Sequence, residues 1–487
     1  MQDNIKHTDP NARKIFEARR GQRTSARHPN IAQYSCRRTA PARFHRMGLY
    51  CVLGLSLAGL AMLAPVSEAR SLQSIIAETL AQDPVLIEAR AREREAAHMV
   101  KQTEAGHLPV LTVTGNQTLL RREPFPYWDG QRRRTDVSLR GSMNVFSWGA
   151  IDAAVQRDQA IHRYYQYRYD DIREDLAQTI AYSYLTALRA QESLSIFQRS
   201  LQRHDKIIAR LNTIVQYDAG RRSELTQAQS RRLQVSSNIA QSQRTRDMAL
   251  SRLARYLDHS LKPTDLQDPF LHITPRQILA TYRDDVSQTP AYQSQKAELD
   301  SAQQALNASE ASRLPALNLE GQLMSDNRHE LNLTLSWNIF DQAARHEVAR
   351  NAQLVTAAQA RLDQTALDRQ EQAASAETDM RQSYERAAQA KRQITLQQQV
   401  VNAYEQQFQI ARRSLIEVLD AHNELTAVQL QQSTAVGDFR EATLAYLHAR
   451  ASIARWADIP AQAGMVNHGV IQPTVILQQD RPLRQTH

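Results

Sequence analysis

Residues 341–415 read DQAARHEVARNAQLVTAAQARLDQTALDRQEQAASAETDMRQSYERAAQAKRQITLQQQVVNAYEQQFQIARRSL. Alternating steps of four and three select Val348, Ala352, Val355, Gln359, Leu362, Ala366, Arg369, Ala373, Ala376, Met380, Ser383, Ala387, Ala390, Ile394, Gln397, Val401, Tyr404, Phe408, Ala411 and Leu415. Only Gln359, Arg369, Ser383 and Gln397 interrupt an apolar or small seam kept up for about ten heptads, well past the three or four that already argue coiled coil. Neither proline nor glycine breaks the run, so the spacing predicts one helix roughly 100 Å long at about 1.5 Å per residue. The alanine-rich seam lets helix axes approach closely. Taken alone, the stretch also fits a fibrous rod.

Outward from this coil, helix breakers stay rare. Prolines are missing between Tyr127 and Lys262 and again between Ala316 and Ile459, where Gly437 is the one glycine after Gly321. Composition alone, with 42% hydrophobic residues in 487, suggests two or three ordinary helical domains. The breakers instead mark out two very long helical blocks.

The front of the chain is of another kind. MGLYCVLGLSLAGLAMLA, residues 47–64, is the long apolar run; it follows Arg43 and Arg46 and leads to Ser67-Glu68-Ala69, the small-residue pattern of a secretory cleavage site after Ala69. A retained transmembrane helix is the alternative. Residues 1–46 hold eleven Lys/Arg against three Asp/Glu and supply nearly all of the formal charge of +9, so the basic pI of about 9.6 is no argument for nucleic acid. Both cysteines, Cys36 and Cys51, precede the cleavage site, so the exported chain is expected to have no disulfide, no thiolate metal site and no lipid-anchoring cysteine.

After this leader, residues 72–105 read as one helix that tolerates Pro84 near its start. Periodicity then changes to two. In TDVSLRGSMNVF, Val137, Leu139, Gly141, Met143 and Val145 alternate with Ser138, Arg140, Ser142 and Asn144, and LPVLTVTGNQTLL from Leu108 precedes it. About 200 residues on, Thr289-Pro290 opens another helix, followed by LPALNLEGQLM and HELNLTLSWNIF with the same alternation. Leu108-Pro109 matches Leu314-Pro315, Asn144-Val145-Phe146 matches Asn338-Ile339-Phe340, and Arg221-Arg222-Ser223 matches Arg412-Arg413-Ser414, an internal repeat. The first strand pair has the longer loop, residues 121–134. The first long helix has its own late seam at Leu194, Phe197, Leu201, His204, Ile208, Leu211 and Val215, before a turn at residues 217–220. The expected divisions are a leader and signal (1–69), a first repeat of helix, two strands and a long helical hairpin (70–257), an irregular connector (258–289), a second repeat (290–459) and an aperiodic tail (460–487).

Four strands of about ten residues, apolar on one face and polar on the other, are long enough to cross an outer membrane when tilted. Four cannot close a barrel, and an open edge in lipid leaves backbone groups unpaired. Three chains would give twelve strands and closure. The fold class expected is an α+β membrane protein: a long α-helical coiled-coil barrel plus four transmembrane β-strands per chain, closing a twelve-stranded barrel in a homotrimer. The alternative is a pair of half-buried hairpins in a soluble domain.

The exported leader, the duplicated element order, the Asn-Val-Phe and Asn-Ile-Phe strand ends, YDAG at the first turn and ARRSLIEVLDA at the second resemble the TolC-type outer-membrane efflux protein family over residues 72–457. The resemblance implies a homotrimer in the Gram-negative cell outer membrane, contacting its lipid and extending into the periplasm. There the tunnel docks onto a periplasmic adaptor (membrane fusion) protein and an inner-membrane ABC or other pump, with Gly220, Arg221, Arg222 and Arg412 at the docking turns. It also implies that Glu417 and Asp420, three apart on one helix face, form acidic rings at the periplasmic entrance, crowded enough to raise their pKa values. A solvated helix face is the plain reading of the same pair. Arg413 matches a residue that holds the entrance closed, whereas Phe408 stands where a tyrosine is usual and Thr226 is the first-repeat counterpart of Glu417; an exposed basic side chain is the plain reading of Arg413.

No chemistry is legible. The chain lacks a GxxxxGK[ST] phosphate loop, His346-Glu347 does not continue as HExxH, and His204 and His422 read as seam or surface residues. An enzyme is not expected, nor any cofactor or metal. The expected function is a passive outer-membrane exit duct of type I secretion for an exported protein. Small-molecule or multidrug efflux is the alternative within the family, and a periplasmic coiled-coil adaptor the alternative from another class.

Overall fold

In a computed structural model of the chain, the structure describes residues 71–117, 135–257, 261–324, 328–410 and 412–459. The expected signal with its cysteines, the loop 121–134 and the tail 460–487 lie outside them.

The opening helix is two helices. α1 (Leu72–Gln82) starts at Ser71, whose Oγ accepts the Ser74 amide at 3.2 Å. Asp83 is extended, as a residue before proline prefers, and its Oδ1 accepts the Val85 amide at 2.8 Å to cap α2 (Pro84–Glu104). Pro84 is thus the first residue of a new helix, where its missing N–H costs nothing, rather than a tolerated interior proline.

β1 (Val110–Gln117), β2 (Thr135–Phe146), β3 (Ala316–Met324) and β4 (His329–Ser336) form one antiparallel sheet in the order β1-β2-β3-β4. The β2–β3 pairing unites the two strand pairs, with Leu139 opposite Leu323, Gly141 opposite Gly321 and Met143 opposite Leu319. One face therefore runs apolar across all four strands. It is open to solvent within the chain, with Leu111 and Leu331 more than 70% exposed. Gly141 on this face is covered by a neighbour, since a Cβ there would lie 3.1 Å from Leu111 Cδ2. On the opposite face Asn144 Nδ2 donates to Asn318 Oδ1 at 2.9 Å. At one end of the sheet Phe146, Trp148, Trp337 and Phe340 are all exposed, an aromatic cluster of the kind that borders lipid-facing strands. Trp148 and Gly149 both take positive φ (54° and 80°) to swing the chain from β2 into the next helix.

α3 (Ala150–Tyr217) and α7 (Gln342–Gln409) are each 68 residues, so each is roughly 100 Å long. α4 (Arg222–Leu253) and α8 (Leu415–Ala449) return beside them. The return helices end at Leu253 and Ala449, short of the repeat bounds 257 and 459, and α8 is followed by a separate turn, α9 (Ile453–Trp456). Along α7 the heptad seam faces inward, with Leu362, Ala373, Ala376, Met380, Ser383, Ala390 and Val401 buried. Two features differ from the spacing. Asn351 and Ala358 take the inward positions expected of Ala352 and Gln359, and Gln359 is exposed. The coil also stops at Gln409, and Leu415 begins α8 instead of extending it; the seam position expected at Ala411 lies outside the described residues.

The connector carries a short helix, α5 (Pro275–Thr281), and leads into α6 (Pro290–Ala311), which packs with α3 and α7. Thr289 caps α6 by backbone position alone, because its hydroxyl donates to the Val286 carbonyl. The main core lies midway along the helices. Ile76, Ile180, Tyr184, Phe270, Met380, Tyr446, Leu447 and Trp456 belong to it. Two separate buried polar sites lie in it, both missed from sequence: Arg440 holds Glu192 and Asp268, and elsewhere along α3 the Glu174 carboxylate accepts the Ile453 and Ala454 amides at 2.9 and 3.1 Å and so caps α9. Among the described residues no helix is long and apolar enough to cross a membrane.

Candidate functional site at the helical turns

The sequence places its candidate residues at two turns, and the fold brings those turns together. Ile207 and Leu211 of α3, Ala228 of α4 and Leu415, Val418 and Leu419 of α8 form one cluster, with Tyr404 and Phe408 of α7 packed against it.

The first turn is held locally. Asp218 Oδ1 accepts the Gly220 amide at 3.0 Å, its Oδ2 lies 3.5 Å from Arg221 Nε, and a Cβ on Gly220 would crowd Asp218 Oδ1 at 3.2 Å. Thr226 does no capping; its hydroxyl donates back to the Arg222 carbonyl at 3.1 Å. Arg222 is exposed, as is Tyr217 beside the turn.

The second turn is more heavily tied. Ser414 and Glu417 make a capping box: the Glu417 amide donates to Ser414 Oγ, and Glu417 Oε2 accepts both the Ser414 amide and its hydroxyl at 2.9 Å. Arg413 donates to Glu417 Oε1 at 2.5 Å and to Gln407 Oε1 at 3.0 Å, and its guanidinium lies 4.2 Å from the centre of the Tyr404 ring, a cation–π contact. Arg413 therefore staples the end of α7 to the start of α8. Tyr404, one turn before Phe408, supplies the aromatic contact, while Phe408 packs in the apolar cluster. Arg412 and Ile410 stand exposed at the tip.

The two carboxylates are not a bare acidic pair. The Ser414 amide, then the Arg413 guanidinium, hold the Glu417 carboxyl below its ordinary range, and Glu417 in turn raises Arg413. Within the chain this follows because an anion that accepts charged and backbone donors is favoured. Asp420 is paired with Arg231 of α4, a partner 189 residues away that sequence reading missed. Arg232 joins Asp205 of α3 at 2.5 Å. The arginines sit side by side on α4, and only the fold reveals which acids they meet.

His204 and His422 are both buried between α3 and α8. His346 and Glu347 are exposed near the start of α7. Among the described residues no group of three or more His, Cys, Asp or Glu is placed to hold a metal ion.

Residues 75–259 match the family model described as outer membrane efflux protein. The fold is similar to that of the outer membrane protein VceC from Vibrio cholerae (TM-score 0.68, 17% identity, 78% of this chain and 96% of that one). It is similar also to the CmeC outer membrane channel of Campylobacter jejuni (0.67, 14%, 80% and 90%) and to the open state of the MtrE outer membrane channel of Neisseria gonorrhoeae (0.66, 16%, 78% and 88%). No match is found among curated proteins. The pattern of the outer membrane efflux protein family is thus matched over residues 75–259, and over most of its length the chain has a fold similar to that of these solved outer-membrane channels.

Proposed function

We propose that three copies of this chain close their sheets into a twelve-stranded barrel in the outer membrane, continued into the periplasm by the long helices, and that the assembly is a passive exit duct. The observation that carries this reading is the sheet itself. It has an apolar face open to solvent, an opposite face bearing Arg140, Ser142, Asn144, Asn318 and Glu320, and outer strands β1 and β4 with one partner each in the chain. Closure with neighbouring copies pairs those edges, places leucines against lipid and leaves the polar face to line water. An adaptor has no need of such a sheet.

The two turns are the periplasmic entrance, and Arg413–Glu417 and Arg231–Asp420 hold it in shape. Arg221, Arg222 and Arg412, exposed or partly so around the turns, offer a basic surface to a periplasmic adaptor linked to an inner-membrane ABC transporter. The cargo we assign is an exported protein, since both cysteines precede the predicted cleavage site and leave none for a lipid anchor. Small-molecule efflux is the second reading, favoured by the family description. A deletion strain decides between them: loss of one secreted protein supports the first, and heightened sensitivity to small toxic compounds with unchanged secretion supports the second.

A further inference from the structure

α3 and α8 lie antiparallel, as the pairs Asp175–His448, Glu192–Ser433 and Ser200–Thr426 record. One helical turn nearer the hairpin turns than Ser200 and Thr426, this register sets His204 of α3 opposite His422 of α8. Both imidazoles are buried, at 1% and 6% exposure. His204 Nδ1 lies 2.9 Å from the Ser200 carbonyl, and His422 Nε2 lies 2.9 Å from Glu405 Oε1 of α7. A carbonyl and a carboxylate can only accept, so these nitrogens carry the protons of two neutral rings. The other nitrogens, His204 Nε2 and His422 Nδ1, are buried lone pairs without a hydrogen-bond partner, and Arg203 Nε beside them is likewise unpartnered.

A proton added to either ring puts a second cation into a layer that already holds Arg203, whose Nη2 donates to Thr426. It also creates a buried N–H with nothing to accept it, the costly case for a polar group. The charged surroundings do little to help. Arg199, Arg203 and Asp205 come from α3, Arg231 and Arg232 from α4, Glu405 from α7 and Asp420 from α8. Asp205 is engaged by Arg232 and Asp420 by Arg231, which leaves Glu405 as the one countercharge, on the His422 side. The same arginines argue against a metal cation between the rings.

We propose that His204 and His422 form an acid-released latch that clasps the two hairpins behind their turns. The proposal rests on the reading of those turns as the entrance of a duct. Burial, together with Arg203, pushes both imidazoles below their ordinary value. A histidine lowered in the folded state stabilises it fully above the unfolded value of about 6.5, and that stabilisation is lost as pH falls from there through the folded value. The latch is therefore closed at neutral pH and loosens in mild acid.

The test is amide hydrogen exchange by mass spectrometry on the full chain in detergent at pH 7.5 and 5.5, corrected for intrinsic rates and referenced to peptides from α2 and α6. Peptides spanning 200–217 and 415–426 are expected to open severalfold more in acid, and the His204→Leu, His422→Leu double variant to lose that difference. The single variants His204→Leu and His422→Gln, each expected to shrink it, serve if the double variant does not fold. Wild-type exchange without acid-specific opening at these peptides, or the same opening in the variants, overturns the latch. Conductance across a planar bilayer is measured in parallel. No conductance at either pH refutes the duct and leaves exchange to judge the latch; conductance that rises in acid in the wild type but not in the variant supports both.

Discussion

Replacing Arg440 by methionine should destabilise the middle of the molecule far more than its surface charge pairs suggest. The Arg440 side chain is 4% exposed on α8. It donates Nη1 and Nη2 to the two oxygens of Glu192 on α3 at 3.0 and 2.7 Å, and Nη2 also to Asp268 of the connector at 2.7 Å. Ser433 adds a bond to the same Glu192 at 3.2 Å. Burial works against the guanidinium, but the two carboxylates more than offset it and its pKa is raised. Methionine keeps an unbranched side chain and removes the cation, stranding two carboxylates in one site. Breaking a buried pair costs about 3–5 kcal/mol; because Glu192 is about a third exposed, the lower end, about 3 kcal/mol, is expected. Urea unfolding in detergent, followed by helical circular dichroism, measures it. The triple variant Glu192→Gln, Asp268→Asn, Arg440→Met should recover at least half of the stability. A loss under about 1 kcal/mol for Arg440→Met, or no recovery in the triple variant, would refute the reasoning.

At the proposed entrance, Arg231→Ala frees Asp420 and should shift reversal potentials in a salt gradient toward cations, whereas Asp420→Asn frees Arg231 and should shift them toward anions; shifts of the same sign would sink the pairing. Glu417→Gln removes the ion pair to Arg413 and weakens the capping box, and is expected to raise conductance or its fluctuation. Because the Glu417 carboxyl is lowered, its bonds persist as pH falls past the ordinary carboxylate value and fail only in stronger acid, so a wild-type change near pH 6 is not expected from this residue. Gly437→Ala sets a Cβ 2.9 Å from Arg189 Cδ, which must move away from Asp438 and Glu441; a stability loss of about 1 kcal/mol is expected, and an unchanged urea midpoint would count against this contact. Met380→Ala opens a hole at a fully buried seam position and should cost about 2–4 kcal/mol in the same urea titration.

What was legible in the sequence was periodic. Alternation by two placed the strands and their apolar face, and steps of three and four placed most of the α7 seam. A mixed run of small and polar residues is where the spacing fails. Around Asn351 and Ala358 the packed face drifts by one position, because alanine on either side of a glutamine fits a tight interface equally well. The end of α7 was hidden for a similar reason, since Ala411 and Leu415 keep the heptad spacing through a turn with no glycine or proline. The signal that could have marked it was the Ser414-x-x-Glu417 capping box, which announces a helix start. The Pro84 break follows the same grammar, with Asp83 as cap and proline first.

Long-range charge pairing was not legible. Glu417 and Asp420 could be read as neighbours on a face, but not as anions already answered by Arg413 and Arg231, the latter on another hairpin. Nor could the buried partners of Arg440 and of Glu174 be read, since they lie 172 to 280 residues away. Tyr404 was visible as a seam position, yet its contact with Arg413 depends on the turn folding back.

The most direct test of the central claim is the mass of the detergent-solubilised mature chain together with its single-channel conductance in a planar bilayer. The account predicts a trimer with a discrete conductance. A monomer or rod that stays in solution without detergent and carries no current would contradict it.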